Sequence, residues 1–170
     1  MNTTFIISAA VAIVSTLLAI TRSNAVHALL YLIVSFFSVA VTFFILGASF
    51  VAALEVIVYA GAIMVLFVFA VMLLNLGPES AQQERQWKTS RVWIGPGLLS
   101  LLLLIELLYI FLHGAPQSDE IKMVAPKTVA MSLYGTYIVG VELASMLLLA
   151  GIVGAFYLGR RIEQENQPLK

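Results

Sequence analysis

The chain has 170 residues, of which 61% are hydrophobic and 11% charged, against roughly a quarter charged in soluble domains, and its mean hydropathy is +1.02. Nine basic residues balance nine acidic ones without any polybasic run, which argues against nucleic-acid binding through a broad positive field. Cysteine is absent, and the two histidines, His27 and His113, lie far apart, so neither iron–sulfur ligation, disulfides nor a metal centre is expected.

A helix needs about 20 apolar residues to cross a hydrocarbon core of about 30 Å. Five stretches meet that length: 3–20, 27–46, 50–76, 92–112 and 137–158. Barrel strands are short and alternate polar with apolar residues, a pattern these runs lack. The expected fold is an all-α integral membrane protein with five transmembrane helices in a single membrane domain over 1–170, ending in a polar tail at 159–170. The first span has no basic flank before it and is long for a signal segment, so it is expected to be retained.

The polar connections set an orientation. With five spans, the loop after the first, the loop "GPESAQQERQWKTSR" after the third and the C-terminal tail share one side, which holds Arg22, Arg85, Lys88, Arg91, Arg160, Arg161 and Lys170. The other side holds Lys122 and Lys127. The positive-inside rule then predicts the N-terminus outside and the C-terminus in the cytoplasm. Trp87 and Trp93 flank the start of the fourth span as interfacial anchors, and Pro96 falls in its first turns, where a missing N–H is tolerated. The segment "HGAPQSDEIKMVAPKT" is expected to be a solvated connection broken by Pro116 and Pro126.

The third span, "FVAALEVIVYAGAIMVLFVFAVMLLNL", carries Glu55 near its outer end and Gly61 near its middle. At about 100° per residue, Ala52, Glu55, Tyr59 and Ala62 fall on one face, stacking a phenol one turn from a carboxyl. Its 27 residues make ~40 Å of straight helix, longer than the core. Tilt is one remedy. A kink or one-residue π-bulge at Gly61 is another, and the sequence does not separate a bulge from a glycine packed against a neighbour.

The fourth span places Glu106 in the leucine run "LLSLLLLIELLYIF", with no small or polar neighbour on its own face. In the fifth, Gly140, Ala144, Gly151 and Ala155 form a small-residue stripe suited to close packing, while Glu142 points almost the opposite way. That helix needs protein or water on two sides, as expected of a subunit in a larger assembly. A charge at the bilayer centre costs at least ~2.5 to 3.5 kcal/mol on insertion scales. Glu55, Tyr59, Glu106 and Glu142 are therefore candidates for proton relay, weighed against partner pairing or snorkelling.

The run "GASFVAALEVIVYAGAIMVLFVFAVMLLNL" at 47–76 resembles the signature of the subunit J family of bacterial proton-pumping NADH:quinone oxidoreductase, the counterpart of subunit 6 in mitochondrial complex I. "AVHALLYLI" at 25–33, "QERQWKTSRVWIGP" and "VELASMLLLAGIVGAFYLGR" at 141–160 agree with it. The resemblance implies a multi-pass subunit of the bacterial inner membrane, surrounded by other membrane-arm and quinone-module subunits and by lipid. It implies no cofactor on this chain, with NADH, FMN, iron–sulfur clusters and quinone handled by other subunits. It also implies a π-bulge in the third helix over Tyr59, Ala60, Gly61, Ala62, Ile63, Met64 and Val65, whose rotation opens and closes a water path. Glu55 and Tyr59 would lie on the proton-transfer face, and Met64, Val65 and Phe67 would form an apolar plug. Many members carry proline where this chain has Ala25, and before the glutamate of the fifth helix, where it has Thr136 and Gly140. A related subunit of a multi-subunit cation/proton antiporter or membrane-bound hydrogenase is the alternative, followed by a freestanding carrier and a structural scaffold.

Overall fold

The computed structural model describes residues 3–74, 93–113 and 123–165. Among these every regular element is helical, and five helices are long and apolar enough to cross a membrane. The loop expected at 77–91, with Trp87, and most of the connection at 114–122 lie outside the described residues. The chain divides into two units, Met1–Ala125 and Pro126–Lys170.

In the first unit, α1 (Thr3–Thr21) and α2 (Ala25–Ile45) form a hairpin. Its turn is fixed at Asn24, whose side-chain oxygen accepts from the N–H groups of Val26 at 3.0 Å and His27 at 3.3 Å, satisfying donors that no helical carbonyl reaches. Arg22 places its guanidinium 5.4 Å from the ring centroid of buried Tyr31, a cation–π contact at the helix entrance. At the other end of α2 the chain turns through Gly47, whose φ of 81° is a left-handed value that glycine adopts without strain.

The hairpin is held by hydroxyls. Ser8, Ser15, Ser35 and Ser38 are buried; Thr16 Oγ1 lies 2.7 Å from Ser35 Oγ, Ser35 Oγ donates to the Ala12 carbonyl at 3.3 Å, and Ser38 Oγ donates to the Ser8 carbonyl. Lipid supplies no hydrophobic drive between helices, so small side chains that let backbones approach, and hydrogen bonds between them, do the joining. The signal for this seam in the sequence is the recurrence of Ser8 and Ser15 at two helical turns within an otherwise apolar run.

The third span follows as α3 (Ser49–Leu54), a π-helical segment (Glu55–Ile63) and α4 (Met64–Leu74). Helix α5 (Ile94–His113) buries Pro96, Leu103, Glu106 and Ile110. Leu103 packs with Val11 and Val34, and Ile110 with Val41 and Ile45. Gly95 makes room for the Tyr31 hydroxyl, which an added Cβ would overlap. Helix α2 is thus the shared spine on which α1, the third span and α5 all pack.

In the second unit, α6 (Pro126–Leu133) precedes α7 (Ile138–Glu165). The expectation that Pro126 breaks a solvated connection is corrected here: Pro126 opens a helix, where its missing N–H has no intrahelical partner to lose and its fixed φ suits the first turn. Helix α7 runs on past Leu158, since the polar residues after it are good helix formers once outside the bilayer.

Ser38→Ala should cost about 0.6 kcal/mol, the bilayer average for one interhelical hydrogen bond, and leave the hairpin assembled. Ser38→Leu should force α1 and α2 apart and abolish accumulation of the chain in membranes. Membrane abundance and the midpoint of detergent unfolding check both.

Candidate functional site: a π-helical turn in the third span

Lipid offers nothing to an unpaired amide, so a spanning segment can change register only by exchanging one internal hydrogen-bond pattern for another. The third span does this at its centre. The N–H of Met64 reaches the carbonyl of Tyr59, five residues back, and also that of Gly61, where an α-helix would use the fourth.

The packing shows what the extra residue accomplishes. Each part of the third span lies against α2, and the residues it buries are Ala52, Ala60 and Met64, the last only 1% exposed. Ala52 and Met64 are twelve residues apart, which in an unbroken α-helix leaves them ~120° apart around the axis. One residue inserted by the π turn takes back about 100°. Both ends can then present their buried side chain to the same neighbour.

Gly61 sits within this turn. An added Cβ would stand 3.2 Å from the carbonyl oxygen of Val56, the residue five before it. That carbonyl is drawn beneath residue 61 by the π pattern, so glycine is the residue that does not oppose the widened turn. Glycine also fits an α-helix poorly relative to alanine, which makes the regular form less of a competitor.

The segment begins at Glu55 and ends at Ile63. It therefore contains Tyr59, Ala60, Gly61, Ala62 and Ile63 and starts before them, while Met64, Val65 and Phe67 follow in α4. Of those three, Met64 is buried and Val65 and Phe67 turn outward, 49% and 52% exposed. The single face expected for Ala52, Glu55, Tyr59 and Ala62 is split by the π turn: Ala52 is buried, Glu55 half-buried, and Tyr59 and Ala62 exposed. Tyr59 rests its ring 5.5 Å from that of Phe36 on α2, tilted by 57°. Beside this turn an apolar groove of about 660 Å³ runs between α2, the third span and α5, with Phe37, Val41, Ala53, Val56 and Leu104 among its walls.

Two other candidate carboxyls belong to other helices. Glu106 is buried in the first unit, on a helix that packs against α1 and α2. Glu142 belongs to the second unit, where its carbonyl accepts from Ser145 Oγ at 2.7 Å. Among the described residues no group of histidine, aspartate and glutamate is placed to hold a metal ion.

Comparison with known proteins gives a consistent result. The family described as NADH-ubiquinone/plastoquinone oxidoreductase chain 6 matches residues 15–158. NADH-quinone oxidoreductase subunit J of Pseudomonas aeruginosa is 56% identical over 163 residues, covering 95% of this chain and 98% of the relative. Subunit J of Escherichia coli strain K12 is 52% identical over 160 residues, 94% of this chain and 87% of the relative. That of Buchnera aphidicola from Schizaphis graminum is 45% identical over 150 residues, 88% and 92% of the two chains.

Gly61→Ala should move the segment toward the α register, since the new methyl crowds the Val56 carbonyl in the π form and alanine gains up to about 1 kcal/mol over glycine in the α form. A single-particle structure of the assembled variant should show the Met64 N–H bonded to residue 60. Retention of the bond to Tyr59 would contradict this role for the glycine.

Proposed function

The chain belongs to the NADH-ubiquinone/plastoquinone oxidoreductase chain 6 family, and from that premise we propose how it serves its assembly. It is a membrane subunit of NADH-quinone oxidoreductase, a multi-pass protein of the bacterial inner membrane. The names of its relatives do not favour an antiporter or hydrogenase module.

Its part in the complex is coupling. Quinone reduction elsewhere in the assembly drives the third span between π and α registers, and this chain carries no redox group of its own, leaving NADH, FMN, iron–sulfur clusters and quinone to other membrane-arm and quinone-module subunits. The observation that supports this most is the π turn itself, bounded by Glu55 at its start and buried Met64 just beyond its end. Removing the inserted residue's offset rotates α4 by ~100° relative to α3. Met64 then leaves α2, and the outward-facing Val65 and Phe67 change neighbours with it. Glu55 precedes the turn and stays with α3, so the same motion alters which side chains and waters lie on its inner side.

Glu55 and Tyr59 take and pass protons along that path, and Glu142 offers a further carboxyl on the fifth helix. The N-terminus lies outside and the C-terminus in the cytoplasm, which places Glu55 in the outer half of the membrane. A two-state helix whose states differ in packing is the kind of element through which a distant reaction acts on a gate.

Glu55→Gln keeps size and polarity but removes the exchangeable acid. Inverted vesicles carrying this variant should oxidise NADH with assembly intact while proton uptake per NADH oxidised falls several-fold. An unchanged ratio would remove Glu55 from the path. A purified chain lacking associated flavin and iron–sulfur subunits would overturn the assignment to the redox complex.

A further inference from the structure

Glu106 does not belong to the third span, yet it is the most deeply placed carboxyl among the described residues. It is 6% exposed, and both its oxygens, Oε1 and Oε2, are buried without a hydrogen-bond partner in the chain. Its level in the bundle follows from its neighbours. One turn before it, Leu103 packs with Val11 of α1 and Val34 of α2; one turn after it, Ile110 packs with Val41 and Ile45 of α2, with Phe5 of α1 against them. Between those layers lie Ser8 of α1 and Ser38 of α2, where the hydroxyl seam is densest. Ser38 Oγ donates there to the Ser8 carbonyl, and Thr42 Oγ1 stands 3.2 Å from Ser8 Oγ. On the same face of α1, one turn from Ser8, Thr4 Oγ1 is also buried without a partner.

Snorkelling does not account for this carboxyl, because it points into the bundle from well inside α5. Nor does an ion pair with the helices that cover it. Helix α1 contains no charged residue, and α2 contains only His27 and the phenol Tyr31 as titratable groups. Tyr31 contacts Gly95, about three turns of α5 from Glu106, and Arg22 is held at that same end over the Tyr31 ring. An ionised carboxylate left unpaired in such surroundings is prohibitively costly, whereas a neutral acid offers one donor and spare acceptors. Hydroxyls and a buried water satisfy groups of that kind, each such water making two to four hydrogen bonds.

We propose that Glu106, with Thr4, Ser8 and Ser38, forms an internal proton-holding site in which the protonated carboxyl hydrogen-bonds through a bound water to the seam between α1 and α2. The site is separate from Glu55, and its side chains come from α1, α2 and α5, none of them from the third span. It goes beyond the gating role and stands or falls independently of it.

Infrared difference spectroscopy on the purified complex in lipid tests this. At neutral pH the spectrum of the wild type minus that of Glu106→Gln should contain a protonated-carboxyl C=O band, and transfer to D2O should shift it to lower frequency. Ser8→Ala and Ser38→Ala, each with Glu106 in place, should move the same band by altering its hydrogen bonding. Carboxylate bands in place of the acid band would overturn the proposal, as would an acid band unmoved by both serine variants. Should Glu106→Gln fail to assemble, the serine variants decide alone: a displaced acid band supports the site, and an unmoved one overturns it. NADH:quinone activity in the same preparation reports separately on the assignment of the chain to that complex.

Discussion

Everything in the third span depends on one packing requirement: Ala52 and Met64 are both buried along the same supporting helix, although twelve residues of regular α-helix turn them away from each other. In water the chain could meet this with a loop. In hydrocarbon it must keep every amide bonded, and a π turn is the smallest adjustment that shifts azimuth without releasing a donor. Gly61 then becomes a consequence of the same requirement, because the Val56 carbonyl lies where its side chain would begin. A register set by packing against one neighbour can be reset when that neighbour, or the environment beyond it, changes.

The rest of the first unit supplies the fixed frame against which such a change has meaning. Helices α1 and α2 are drawn together by serine and threonine hydroxyls bonded across the interface, and α5 closes over them with Leu103 and Ile110. These contacts join helices by close approach and hydrogen bonding, interactions that discriminate position more sharply than greasy side chains sliding in lipid. The third span has no comparable polar bonding to α2 among the described residues. Its contacts are alanine, methionine and the tilted pair of Phe36 and Tyr59, which rotate past one another at lower cost. A rigid hairpin beside an apolar, slidable helix is a division of labour suited to gating.

Hydropathy made the five long helices legible, because a 20-residue apolar run has few other uses. Glu55 and Gly61 were legible as anomalies, each costly or unhelpful in a span unless something requires it. The start of the π segment at Glu55 was not, since the bonding pattern depends on where α2 touches the span, and that contact lies in another part of the sequence. The separation of Ala52 from Tyr59 and Ala62 is a direct result: a face computed at a constant angle per residue cannot survive an inserted residue. Glu106 shows the converse limit. Its own helix offers no polar neighbour, but Ser8 and Ser38 arrive at its level from two other helices. Pro126 was read as a breaker because proline usually is one, and its place at the first helical turn is visible only once the helix is seen. Kinship within the family was legible in the long match across 47–76, which periodicity alone would not have supplied.

The central claim is that the segment from Glu55 to Ile63 changes register during coupled turnover. The most direct measurement is a set of single-particle structures of the complex frozen at rest and while oxidising NADH with quinone present, sorted by the hydrogen bond made by the Met64 N–H. Two populations are expected, one bonded to Tyr59 and one to Ala60, with their ratio altered by turnover. A single π-bonded population under both conditions, in a preparation that pumps protons normally, would contradict it.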